Sequence, residues 1–92
     1  MNKKEAINMN NIMIISQNKK TAINYNNIFA LEIRESYYKG TLTGYEIAAK
    51  NVGTGFFTAL GSYSWEYRCV EVFNEITDKI IRGVGCIEMP ER

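Results

Sequence analysis

Residues 60 to 83, LGSYSWEYRCVEVFNEITDKIIRG, restrict what this chain can fold into more than any other stretch. Cys69, Val72, Phe73, Ile76 and Ile80 recur every three or four positions, the period of one helical face. Glu71, Glu75, Asp78, Lys79 and Arg82 fall on the opposite face. Glu75 with Lys79, and Asp78 with Arg82, stand four apart with the acid first, the favourable order for a surface ion pair. Ser64 supplies a hydroxyl to cap the first turn, Glu66 suits the positive end of the helix dipole, and Gly83 can take the left-handed terminating conformation. The spacing therefore predicts one amphipathic helix over about residues 65–82. Such a helix needs an apolar surface to cover.

The remainder reads as strands that supply that surface. Ile12–Ser16 is short, apolar and β-branched, and a polar turn at 17–20 leads to a second strand over 21–25, which makes 12–25 a hairpin. After an Asn26-Asn27 turn, Ile28–Ser36 places Phe29, Leu31 and Ile33 on one face and Glu32 and Arg34 on the other. Residues 37–44 read as a loop or wide hairpin end, with Gly40 and Gly44 as breakers, followed by strands over 45–50 and 56–60 around a glycine turn at 51–55. A short last strand after Gly83 ends at Pro90, which has no N–H for a ladder. The expected fold class is α+β: an antiparallel meander of five or six strands packed against one helix, with a short C-terminal strand. At 92 residues the chain is expected to form one domain, residues 12–92, behind a flexible tail at 1–11 in which Met9 offers an alternative start.

Charge and composition narrow the function classes. With 46% hydrophobic residues the chain can build a core, and a formal charge of +1 gives no overall steering toward nucleic acid or anionic lipid. Apolar runs reach only four residues, as at Ile12–Ile15, too short for a membrane-spanning helix or the core of a secretory signal. Cys69 and Cys86 have no CxxC spacing, and without a signal pattern both are expected as thiols in a reducing cytoplasm. There is no histidine, which removes the commonest general base and the commonest zinc ligand.

Motifs that carry chemistry are correspondingly sparse. Gly53-Thr54-Gly55 lacks the lysine of a phosphate loop and precedes an aromatic strand, so it reads as a hairpin turn. No serine or thiol has a histidine to activate it, and Cys69 sits where a small core residue belongs. Glu32, Glu35 and Glu46 read as solvated charge. Six tyrosines and one tryptophan carry more information. Tyr37, Tyr38 and Lys39 cluster at a predicted chain reversal, and Trp65 and Arg68 open the helix beside Tyr63 and Tyr67. Tyr and Trp combine an apolar body with a polar handle, which suits half-exposed interfaces. Tyr37, Tyr38, Lys39, Trp65 and Arg68 are the candidate partner- or ligand-binding residues. No catalytic set, metal site or cofactor is expected.

Two segments carry a resemblance. IISQNKKTAINYNNI resembles an opening hairpin of small proteins from Firmicutes and their phages and mobile elements, and LGSYSWEYRCVEVFNEI is similar to the closing strand and capped helix of the same group. The likeness is strongest at Ser16, Gln17, Lys20, Asn24, Asn27, Leu60, Gly61 and Tyr63; residues 37–44 and Trp65 depart from it. The resemblance implies strands packed on one helix and a phage or prophage setting, and it transfers no functional residue. The expectation is a non-catalytic binding protein, an inhibitor of host antiviral defence that acts on a host protein in the bacterial cytoplasm. One alternative is an oligomeric sponge for a nucleotide immune signal, drawing on Arg34, Lys39, Lys50, Arg68 and Tyr37. Another is a small structural or adaptor protein. Unblocked sheet edges make self-association a further expectation.

Overall fold

The computed structural model describes residues 11 to 92. Of the expected flexible tail, only Asn11 falls within them. In chain order the elements are β1 (Met13–Ile15), β2 (Ala22–Asn24), a single 3-10 turn (Tyr25–Asn27), β3 (Ile28–Tyr38), β4 (Thr41–Asn51), β5 (Phe57–Tyr63), α1 (Glu66–Ile81) and β6 (Cys86–Glu88). The α+β class is as expected. The single meander of five or six strands is not: there are two three-stranded sheets, ordered β2-β1-β6 and β3-β4-β5.

Local chemistry explains the split. The Asn24 side chain accepts the Asn26 N–H at 2.8 Å and caps the 3-10 turn, so the chain leaves β2 before it can pair with β3. β6 then runs parallel to β1, pairing Ile14 with Ile87. With β2 antiparallel on the other side, both edges of β1 are taken, and the meander has no free strand there to join.

The two sheets are joined through Gln17. Its backbone N–H donates to the Leu60 carbonyl at 2.7 Å. Its side-chain oxygen accepts the Ser62 N–H at 2.9 Å, while Nε2 donates to the Ser62 carbonyl at 3.0 Å and to the Glu91 carbonyl at 2.8 Å. A side chain thus serves as the strand that the β5 edge otherwise lacks. Ser16 braces the same corner, its Oγ donating to Asn18 at 2.7 Å and accepting the Thr21 N–H at 3.1 Å.

The helix stripe packs as its spacing predicts. Cys69, Val72 and Ile76 are fully buried, while Phe73 and Ile80 are partly buried against the same core. Ile47 and Ala49 of β4, Leu60 of β5, Ile12 and Ile14 beside β1, and Ile87 and Met89 beside β6 complete it. Each large aliphatic side chain buried this way contributes about 1.5–3 kcal/mol. The helix stops as expected: Gly83 has φ 77°, its N–H reaches the Ile80 carbonyl, and the Val84 N–H reaches the Lys79 carbonyl, both at 3.0 Å. The Glu75–Lys79 and Asp78–Arg82 pairs are formed at 3.4 and 2.9 Å, both near the surface, where such pairs add little stability. The start differs from the expected Ser64 cap: the N-cap is Trp65, with no side-chain hydrogen bond.

Of the two expectations for residues 37–44 the hairpin end holds and the loop does not, with the strands running closer to the turn than expected. Lys39 and Gly40, both with positive φ, make a two-residue reversal that lets β3 and β4 run for 11 residues each. Gly44 lies inside β4, where a Cβ would sit 2.9 Å from the Tyr63 carbonyl oxygen, so glycine here permits a close strand approach and breaks nothing. Phe29 also departs from expectation. A bulge between Ile28 and Ala30 inserts it into the ladder and turns it outward, leaving it 73% exposed while Leu31 and Ile33 keep the inner face.

Replacing Gln17 with Ala is expected to lower the unfolding free energy by about 1–3 kcal/mol, read by urea titration, with the folded-state circular dichroism retained. An unchanged midpoint would show that the inter-sheet bridge adds no stability.

Candidate functional site

The length of the helix sets where the site lies. Sixteen helical residues extend about 24 Å, and 11 strand residues about 36 Å. α1 covers β4 only from the neighbourhood of Tyr45 onward, so the outer end of the β3–β4 hairpin projects past the helix start. The step between them is a cleft of about 500 Å³ lined by Leu42, Gly44, Tyr45, Trp65, Glu66 and Tyr67. Trp65 and Tyr67 are 65% and 67% exposed, well above the usual state of large aromatic side chains. Gly44 is part of the lining, at the point where its missing side chain lets β4 lie close to the Tyr63 backbone.

Trp65 also borders a second hollow of about 230 Å³, with Tyr63, Arg68 and Arg92. There Arg68 is engaged: Nε and Nη2 donate to the Arg92 main-chain oxygen at 2.8 and 2.6 Å, and Nη1 lies 3.3 Å from Glu71. Tyr63 donates its hydroxyl to the Pro90 carbonyl at 2.7 Å, and burial pushes its phenol up to about 12. These bonds fix the C-terminal residues under the base of Trp65. Cys69, directly behind, is a buried free thiol whose pKa burial raises, an unreactive environment; Cys86 is free and exposed.

The remaining sequence candidates lie on the projecting hairpin. Tyr37 and Tyr38 are 59% and 65% exposed. Tyr37 pairs across the ladder with Leu42, which connects it to the cleft margin, and its hydroxyl donates to Glu35 at 2.6 Å. The hydrogen bond to that carboxylate raises the Tyr37 pKa. Lys39 stands at the turn, with its ammonium 5.3 Å from the Tyr38 ring. The fold thus places Trp65 in the cleft wall, leaves Tyr37 outside it as the ladder partner of Leu42, holds Tyr38 and Lys39 at the hairpin tip, and ties Arg68 into the protein. The three glutamates do not converge: Glu32 and Glu46 are on the outer sheet face, and Glu35 is on the inner one.

Sequence reasoning missed Leu42 and Tyr45 as parts of the site, because 37–44 read as a loop or wide hairpin end. Reading Lys39-Gly40 as a hairpin turn, flanked by Tyr37-Tyr38 and Thr41-Leu42, would have found them. It also missed the outer face of the meander. Arg34 stacks over Phe57 with its guanidinium 4.4 Å from the ring centroid, and the Lys50 ammonium lies 5.7 Å from both the Phe29 and Phe57 rings. The Arg34–Phe57 contact crosses β4 above Ala48, which is fully buried on this otherwise open face.

Chemically, the cleft offers aromatic and aliphatic surface, hydroxyls of Thr43 and Ser64, and one carboxylate, Glu66. Among the described residues no group of three His, Cys, Asp or Glu side chains is placed to hold a metal ion, and no helix is long and apolar enough to cross a membrane. No protein-family model, curated protein or solved structure matches this chain.

The raised Tyr63 phenol sets an alkaline limit. Below pH 10.0, the ordinary tyrosine value, the phenol is protonated in both folded and unfolded chains, and its contribution is fully present. As pH rises from there through about 12, the unfolded chain ionises first and that stability is lost. Denaturation series should show a smaller alkaline loss in Tyr63→Phe than in the parent protein; equal losses would show that Tyr63 does not set the limit.

Proposed function

We propose that this protein is a non-catalytic binding module whose cleft between hairpin and helix start receives an apolar side chain of a partner protein. The observation that carries this reading is the placement of Trp65 and Tyr67, held out at 65% and 67% exposure in the wall of the cleft. Aromatic residues around a concave, largely apolar site commonly dominate binding energy. Glu66 is the one charged group on the cleft wall, so a partner segment that sets a Lys or Arg beside its apolar anchor complements it best.

In the phage or mobile-element setting that the sequence resemblance implies, such a module acts as an inhibitor, occupying a host antiviral-defence protein in the bacterial cytoplasm. Sequestration of a nucleotide is the weaker alternative. Phosphates call for cations beside the base-stacking aromatics, whereas Arg68 is committed to Arg92 and Glu71, Arg34, Lys39 and Lys50 lie outside the cleft, and the cleft wall carries Glu66. Catalysis has still less support, since the sequence has no histidine and the thiol nearest the cleft is buried.

Affinity capture from host lysate with the parent protein, Trp65→Ala and Val52→Ser provides the test. A specific partner should be retained by the parent and by Val52→Ser, whose site is an exposed turn outside the cleft. It should be weakened about 30-fold or more by Trp65→Ala, the size expected of an interface hot spot. Equal retention by all three proteins, or no partner at micromolar concentration, would refute the proposal.

A further inference from the structure

We infer that the open edge of β3 pairs with the same edge of a second copy, antiparallel and centred on Ile33. β3 is the outer strand of the meander, and its stretch from Ala30 to Ser36 is free of bulges. The other edges are treated differently: β2 and β6 are three residues long, and Gln17 covers β5 at Leu60 and Ser62. β3 has no proline, and no lysine lies between Ile28 and Tyr38 to block an approaching strand. Long, regular and unguarded edges are templates for another strand.

Charge selects both the occupant and the register. In an antiparallel ladder, residues directly opposite have their side chains on the same face of the sheet, so self-pairing registers change in steps that move the centre by one residue. Centred on Ile33, Glu32 lies opposite Arg34 of the partner subunit, and the two-fold axis makes that pair twice. Centred one residue earlier, Glu32 meets Glu32 of the partner subunit; one residue later, Arg34 meets Arg34 of the partner subunit. Opposite charges stabilise a cross-strand pair and like charges destabilise it, so only the central register of the three is favoured. Among the described residues neither Glu32 nor Arg34 has an ion-pair partner; Arg34 leans across β4 onto Phe57, and pairing with a second copy requires it to swing from that ring to the β3 edge.

The same register accounts for an apolar groove. Between β3 and the end of α1 lies a hollow of about 370 Å³, lined in part by Phe29, Leu31, Phe73, Ile80 and Ile81. Phe29 and Ile81 are 73% and 83% exposed. With Ile33 at the centre, Tyr37 of the partner subunit falls just past Leu31 on the inner face, the side on which this groove opens, and the symmetry does the same at the other end. One contact thereby pairs the strand edge, forms two opposite-charge pairs and sets a tyrosine beside the groove at each end, repeated by the two-fold axis.

Sedimentation equilibrium of the full chain, with Glu32→Arg and Arg34→Glu, tests this. The parent protein is expected to be a dimer. Each variant alone places like charges opposite each other and is expected to be monomeric. An equimolar mixture of the two variants restores both opposite-charge pairs and is expected to form a heterodimer. Circular dichroism checks that each variant folds; if Arg34→Glu does not, Arg34→Gln takes its place and the mixture is still expected to pair. A monomeric parent protein, single variants that remain dimers, or a mixture that remains monomeric would each overturn the inference.

Discussion

A helix shields only as much sheet as it is long, and in this protein the mismatch between α1 and the β3–β4 ribbon organises nearly everything else. α1 has one apolar stripe, and Cys69, Val72 and Ile76 must lie over Ile47 and Ala49 to leave water. That fixes the helix over the inner part of β4. The hairpin beyond has no cover, so its side chains and those at the helix start form a recess with aromatic walls. The cleft is therefore a consequence of how the core is satisfied, not a separate structure added to it.

The second constraint is the need to close strand edges. The chain deals with its four edges unevenly. Two are short, one is covered by the Gln17 side chain, and β3 is left long and, among the described residues, open. Using a side-chain amide for an edge is economical, because one glutamine both donates and accepts, as a peptide group does. It also makes the junction between the two sheets depend on a single residue in a polar turn. Open surface is thus concentrated on the meander, at its hairpin end and along β3. The opposite end of the molecule, where β1, β2 and β6 meet, is closed by hydrogen bonds and the Lys19–Glu88 pair at 2.8 Å.

The residues that carry the sequence resemblance acquire physical roles in this fold. Ser16 and Gln17 build the corner between the sheets, and Asn24 caps the 3-10 turn. Leu60 lies at the bulge of β5 and fills the core, and Gly61 leaves room for the Tyr63 ring, whose hydroxyl would otherwise lie 2.9 Å from a Cβ. These are scaffold tasks. Of the positions that depart from the resemblance, Leu42, Thr43, Gly44 and Trp65 line the cleft, together with Tyr45, Ser64, Glu66 and Tyr67.

The helix, its buried stripe, its glycine stop and the first hairpin were legible in the sequence, because each rests on interactions between residues a few positions apart. Periodicity encodes which face is apolar, and a residue such as Gly83 encodes its own turn. The aromatic candidates were legible as residue types, and Trp65 lines the cleft while Tyr37 stands beside its margin as the ladder partner of Leu42, whereas the commitment of Arg68 to Arg92 spans a separation of 24 positions and left no local sign. The same holds for the separation into two sheets, the parallel pairing of β1 with β6, and the outward turn of Phe29 at a bulge. Amphipathic pattern tells a strand which face to bury but not which neighbour to choose. That choice is made by the competition of all strands for a limited set of edges, and only the assembled chain resolves it.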